Sequence, residues 1–77
     1  MTTTDGSTVL ESVIDRSSTI LKVSYDTLLE NLRVEFAQGT YDFFGVPVEI
    51  YHEMIAAESV GKYFQANVKN KYDYMKL

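Results

Sequence analysis

The chain lacks cysteine and tryptophan and contains a single proline among its 77 residues. Without cysteine it can form neither a disulfide nor a thiolate metal site, and it has no thiol nucleophile. Residues 1–6 contain no basic or apolar region, so we expect no secretory signal and a cytoplasmic location. No apolar run approaches the roughly 20 residues that a membrane-spanning helix needs, so we expect no membrane partner.

Basic residues are also few, with seven Lys and Arg against eleven Asp and Glu, for a formal net charge of −4. This balance excludes a uniformly basic coat for duplex DNA. With 45% hydrophobic and 13% aromatic residues, the chain can build one modest core. We expect residues 1–8, which are rich in threonine, to form a flexible tail and residues 9–77 to form a single domain.

Apolar and polar residues alternate in three segments, residues 18–25, 32–36 and 41–44, and short loops join them. This pattern predicts an antiparallel meander of three strands. The side chains expected on its buried face are Leu21, Val23, Leu32, Val34, Phe36, Tyr41 and Phe43. Residues 8–14 combine capping-box spacing with β-branched content, so they fit a short helix and an extended lead-in about equally well.

Two helices are predicted after these strands. Pro47 is suited to start the first, because its φ is already helical, and Ser59 is suited to cap the second, which runs to about Val68. Each has apolar residues at helical spacing. They are Ile50, Tyr51, Met54 and Ile55 in the first helix and Val60, Phe64 and Val68 in the second. The predicted fold is therefore α+β, a three-stranded antiparallel meander covered by two C-terminal helices, and part of residues 69–77 is expected to pack back.

Groups that could perform catalysis are scarce. His52 is the only histidine, and it lies between Glu49 and Glu53 on the polar side of the first predicted helix. This position is typical of a solvated surface residue. The spacing of Glu49 and His52 matches half of a di-iron carboxylate site, but the sequence has no second such motif. We therefore expect a protein that is not an enzyme, with no catalytic residue, no metal and no cofactor.

Charge is distributed unevenly along the chain, and this indicates two possible kinds of partner. Residues 59–77 carry four Lys and one Asp, interleaved with aromatic residues. Such a combination binds single-stranded RNA through phosphate pairing and base stacking. The candidate binding residues are Lys62, Tyr63, Lys69, Lys71 and Tyr72.

Residues 1–58, in contrast, carry ten acidic and three basic side chains. The acidic residues expected on or beside the strands and on the first helix are Asp26, Glu30, Glu35, Asp42, Glu49, Glu53 and Glu58. A surface of this kind can dock a basic patch of a partner protein. Our first hypothesis is therefore a small non-catalytic module that binds another protein, and the alternative is a weak RNA- or tRNA-binding module.

Short segments of the chain also keep the order and spacing of a known domain. They are residues 17–20, 23–26, 32–36, 39–43, 45–47 and 57–64, followed by Val68 and Tyr72. In these segments the chain resembles the KTSC domain, a small family named for its occurrence at the C-terminus of some lysyl-tRNA synthetases. The residues at the family's motif positions include Tyr41, Phe43, Pro47, Ser59 and Gly61.

The chain departs from the family pattern at two motifs. The central Tyr-x-Tyr reads Tyr41-Asp42-Phe43 here, which removes one hydroxyl, and Tyr-Phe-Asn reads Tyr63-Phe64-Gln65. The resemblance implies a compact domain without an established reaction, found alone in small bacterial or phage proteins or appended to a synthetase. It also implies RNA binding or another partner-binding role as the expected function.

Overall fold

The computed structural model describes residues 8–15 and 19–77. The expected N-terminal tail lies outside these ranges except for Thr8, and so does Ser18, the first residue of the first predicted strand. The described residues form five strands and two helices. In chain order they are β1 (Val9–Val13), β2 (Ile20–Asp26), β3 (Asn31–Phe36), β4 (Gly39–Phe44), α1 (Val48–Ala56), α2 (Val60–Asn67) and β5 (Tyr74–Lys76).

The strands form one antiparallel sheet in the order β1-β2-β3-β4-β5. The α+β prediction is confirmed, and the three predicted strands are the centre of a wider sheet. At one edge, the segment for which both a helix and an extended lead-in were possible forms strand β1, which pairs with β2. Thr27 N donates to Thr8 O at 2.9 Å at the end of this pair. At the other edge the C-terminal segment packs back as β5, and Leu77 N donates to Thr40 O at 2.8 Å.

The prediction that Leu21 lies on the buried face of the sheet is wrong. Leu21 is 46% exposed, whereas its neighbour Ile20 is fully buried. A β-bulge between Ile20 and Lys22 shifts the register of β2 against β3. Because side chains alternate along a strand, one extra residue exchanges the two faces. Beyond the bulge, Val23 and Tyr25 are buried as predicted.

The core lies between one face of the sheet, called the inner face here, and the two helices. Ser59 caps α2 as predicted, because its Oγ accepts from Lys62 N at 3.3 Å. Pro47, with φ −65°, is the residue directly before α1. Tyr51 and Met54 of α1 are buried. The core residues are Ile14, Ile20, Val23, Tyr25, Leu32, Val34, Phe43, Val46, Tyr51, Met54, Val60, Phe64 and Val68. Neither helix in the described part of the chain is long and apolar enough to cross a membrane.

A candidate ligand-binding cleft

Five aromatic rings meet where β3, β4, β5 and α2 come together. Tyr41 and Phe43 share the inner face of β4, and the antiparallel register places Tyr74 of β5 directly opposite Phe43. The ring centroids of Tyr74 lie 5.8 Å from Tyr41 and 5.7 Å from Phe43. Phe64 of α2 packs at 5.4 Å against Phe43 and at 5.1 Å against Phe36. The rings therefore form one continuous aromatic surface.

This aromatic surface leads from the core to the solvent. Phe43 and Phe64 are buried, Phe36 and Tyr41 are half-buried, and Tyr74 is 59% exposed. Aromatic rings are strongly stabilised by burial, and the exposed face of Tyr74 does not receive that stabilisation in the free protein. The accessible rings are available to stack against a planar ligand.

An open cleft of about 550 Å³ lies over these rings. Its other walls come from the β3–β4 turn, from Gly61 on α2 and from the residues that follow α2. Three amide side chains, those of Gln38, Gln65 and Asn70, line it as well. The volume falls within the range of ligand pockets, roughly 300 to 1,000 Å³. The cleft thus combines apolar walls with groups that can both donate and accept hydrogen bonds.

The charge of the cleft is opposite to that of the chain. Lys69 and Lys76 line it, and no described lining residue is acidic, although the whole chain carries a net charge of −4. Lys76 Nζ lies 5.9 Å from the ring centroid of Tyr41, a cation–π arrangement. The site therefore favours a ligand that is planar in one part and anionic in another.

Of the residues predicted to bind RNA, Lys69 lines the cleft and the other four do not. Lys62 and Lys71 are exposed at other positions, and Tyr72 is half-buried against the core. Tyr74 and Lys76 were not predicted to be binding residues. Their spacing of two residues is nevertheless that of neighbours on one face of a strand. Without the pairing partner of that strand, the spacing does not show what the two side chains face.

Tyr63 contacts α1 instead of the cleft. Its hydroxyl donates to Glu53 Oε1 at 2.6 Å. Burial of the phenol, together with this hydrogen bond, raises the pKa of Tyr63 to about 12. Tyr63 therefore connects the two helices.

The residues of the family motifs divide between the cleft and the helix ends. Tyr41, Phe43 and Gly61 line the cleft. Pro47 and Ser59 are the residues immediately before α1 and α2. The motif residues therefore shape the cleft directly or fix the helices that support it.

The acidic residues lie mainly elsewhere. Asp42 projects from the outer face of the sheet, opposite to the helices, and is buried there beside Arg33. Arg33 donates to both carboxylate oxygens of Asp42, at 2.7 and 2.9 Å, and this bond holds the pKa of Asp42 below its usual value. Lys22 pairs with Glu11 at 3.1 Å on the same face. The acidic surface is thus partly neutralised.

The environment of His52 is that of a surface residue. The side chain is exposed on α1, with its ring 5.4 Å from the ring of Tyr51. Across residues 8–15 and 19–77, no group of three or more His, Cys, Asp or Glu side chains is placed to hold a metal ion.

The sequence model of the KTSC domain matches residues 16–72. The chain belongs to the KTSC domain family. A lysine–tRNA ligase of Trichormus variabilis is 34% identical over 61 residues, which are 78% of this chain but 11% of the ligase. A protein of Tsukamurella paurometabola is 35% identical over 57 residues, which are 73% of this chain and 85% of that protein.

The fold is likewise that of a KTSC domain. The crystal structure of a KTSC domain protein from Yersinia pestis matches with a TM-score of 0.84 and 31% identity, over 91% of this chain and 99% of that one. The resemblance inferred from the sequence is therefore confirmed. The family match ends at residue 72, so Tyr74 and Lys76 lie beyond the matched part of the KTSC domain.

Proposed function

We propose that this KTSC domain is a non-catalytic module that binds single-stranded RNA in the aromatic cleft. The observation that supports this proposal is the joint presence of accessible aromatic faces and two lysines in a cleft with no described carboxylate. Bases stack on aromatic side chains with little dependence on sequence, and lysines pair with the phosphates between them. One relative is a lysine–tRNA ligase, whose name specifies an RNA substrate.

The size of the cleft favours unpaired RNA. A volume of about 550 Å³ suits a ligand of drug size, which corresponds to about one or two nucleotides and not to a duplex. Stacking requires that the base be accessible, as it is in loops, bulges and ends. Tyr74 is the most exposed ring and is the expected stacking platform, and Lys69 and Lys76 are the expected phosphate contacts.

The experiment is an amide NMR titration with a single-stranded RNA of about eight nucleotides, at low salt and at about 150 mM salt. Because only two lysines line the cleft, we expect modest affinity that falls with salt at a slope of roughly 0.7 per neutralised phosphate. The shifted amides should lie in β4, β5 and the residues that follow α2. An absence of shifts at low salt would contradict the proposal.

A matched pair of charge reversals separates the cleft from general electrostatics. Lys69→Glu and Lys71→Glu change the net charge equally and lie two residues apart, but only Lys69 lines the cleft. We expect Lys69→Glu to weaken binding about tenfold, which corresponds to about 1.4 kcal/mol, and Lys71→Glu to have a much smaller effect. Equal losses in both variants would show non-specific attraction in place of a site.

The other hypothesis, a protein partner, requires a different surface. The cleft lacks the acidic groups that motivated that hypothesis, whereas the outer face of the sheet carries Asp26, Glu35 and Asp42. The acidic residues of the strands that motivated this hypothesis therefore lie on the side of the sheet opposite to the cleft, whereas Glu49 and Glu53 lie on α1.

A further inference from the structure

The outer face of the sheet exposes large apolar side chains that the fold does not use. By strand register, Val9, Val13, Phe44 and Met75 all project from this face, and all four are exposed. Neither α1 nor α2 contains an exposed large apolar residue. Single exposed apolar residues are ordinary, but a concentration on one face is typical of an interaction surface.

Part of this face forms a shallow depression of about 410 Å³ at the end of the sheet where β1 begins and β4 ends. Val9, Leu29 and Phe44 line it. Leu29 is 69% exposed and Phe44 is 40% exposed. A row of strand partners, Val9–Asp26–Asn31–Phe44, crosses the sheet at this point. The apolar side chains therefore stand on either side of a polar centre.

The β2–β3 turn holds Leu29 in this position. Asp26 Oδ1 accepts from Leu28 N at 2.9 Å and from Leu29 N at 3.0 Å. An Asp side chain that bonds the backbone two residues ahead fixes a turn. The backbone that presents Leu29 to solvent is thus already ordered. Binding of a partner at Leu29 therefore costs little conformational entropy in this turn.

The depression also carries a net negative charge. Its charged side chains are Glu11, Lys22, Asp26, Arg33, Glu35 and Asp42. Lys22 pairs with Glu11, and Arg33 pairs with Asp42. Among the described residues, Asp26 and Glu35 form no salt bridge, although Glu35 lies across from Lys22 in the sheet and also acts on Arg33 through its charge. Four acidic and two basic side chains leave a net charge of −2 beside the apolar side chains.

We propose that this depression docks a segment of a partner protein in which a Lys or Arg is flanked by apolar residues. The apolar residues of the segment pack against Val9, Leu29 and Phe44, and the basic group approaches Asp26 and Glu35. Complementary charge favours such a partner and disfavours others. RNA is repelled by the same carboxylates, and a symmetric contact with a second copy brings together two patches of the same net negative charge.

Peptide selection tests the proposal and does not require that the partner be identified. A library of random peptides is selected on the wild-type domain and depleted on the double variant Leu29→Ser/Phe44→Ser, whose substitutions lie at exposed positions. Selected peptides are expected to carry Lys or Arg between apolar residues. Failure to enrich any peptide, or enrichment of acidic peptides, would overturn the proposal.

Affinities of a selected synthetic peptide complete the test. We expect a loss of at least about tenfold in the double variant and a smaller loss in Glu35→Gln, because single charged contacts at an exposed rim contribute less. Leu77→Ser removes a leucine that is 57% exposed and lies outside the depression, and it is the control for non-specific apolar binding. Lys69→Glu should bind the peptide as wild type does. Equal weakening by Leu77→Ser, or full affinity in the double variant, would contradict the proposal.

Discussion

Arg33 and Asp42 face each other across β3 and β4, and the guanidinium donates from Nε and Nη2 to both carboxylate oxygens, at 2.7 and 2.9 Å. The Asp42 side chain is only 11% exposed, whereas that of Arg33 is about half exposed. Bidentate pairs of this kind are among the stronger hydrogen bonds in proteins. The bond lowers the pKa of Asp42 and raises that of Arg33.

This pair makes stability depend on pH. Because the pKa of Asp42 is lowered in the folded state, the unfolded chain binds a proton first as the pH falls. The stabilisation is complete above the unfolded pKa, about 4, and is lost as the pH falls through the folded value. We expect Asp42→Asn to reduce the free energy of unfolding by about 1 kcal/mol at neutral pH, after allowance for the solvent around Arg33.

Urea unfolding of wild type and Asp42→Asn, at neutral pH and near pH 2, measures this effect. The difference between the two proteins should shrink on acidification. Glu35→Gln is the comparison, because Glu35 is on the same face and acts on Arg33 through its charge but forms no salt bridge with any described residue. A difference that stays constant with pH would show that the Asp42 charge is not its source.

The contact between Tyr63 and Glu53 gives a second dependence on pH, with the opposite sign. The folded state holds the pKa of Tyr63 at about 12, above the usual value of 10.0, so the unfolded chain loses this proton first as the pH rises. The contribution of Tyr63 to stability is therefore constant below about pH 10 and is lost between that value and about pH 12. Ultraviolet titration of tyrosinate should show one fewer late-ionising group in Tyr63→Phe than in wild type, in which the pKa of Tyr25 is raised as well.

The hydroxyl of Tyr25 connects the sheet to the segment that enters α1. It donates to Val46 O in the core, and burial, more than the neighbouring carboxylates, raises the pKa of Tyr25. Tyr25→Phe keeps the ring but leaves this carbonyl without its donor, so we expect a loss of about 1 to 3 kcal/mol. Thermal unfolding measures the loss, and Tyr74→Phe, whose side chain is exposed, is the control that should remain near wild type.

The periodic parts of the fold could be predicted from the sequence, and the parts that depend on long-range pairing could not. Alternation identified β3 and β4, and Ser59 marked the start of α2, because these signals lie within a few neighbouring residues. The edge strands β1 and β5 acquire their structure from backbone partners distant in sequence. For the same reason, Lys69 was predicted to bind a ligand while Tyr74 and Lys76, which complete the cleft, were not.

Gly45 and Gly61 both have open space where a Cβ atom would lie, but their backbone conformations differ. Gly45 has φ +70°, which is left-handed, and no atom lies within 4 Å of the position a Cβ would take. Gly45→Ala therefore introduces no clash, and its cost is conformational. We expect a loss of about 1 kcal/mol in the free energy of unfolding.

Gly61 has equally open space around its Cβ position but lies in α2. Alanine is favoured over glycine in a helix and also restricts the unfolded chain, so we expect Gly61→Ala to stabilise the domain by about 0.5 kcal/mol. Urea unfolding of the two variants should then give effects of opposite sign. A stabilising Gly45→Ala would contradict the left-handed turn. Gly61 also lines the cleft. An RNA titration of Gly61→Ala therefore also tests whether a methyl group at this position weakens RNA binding.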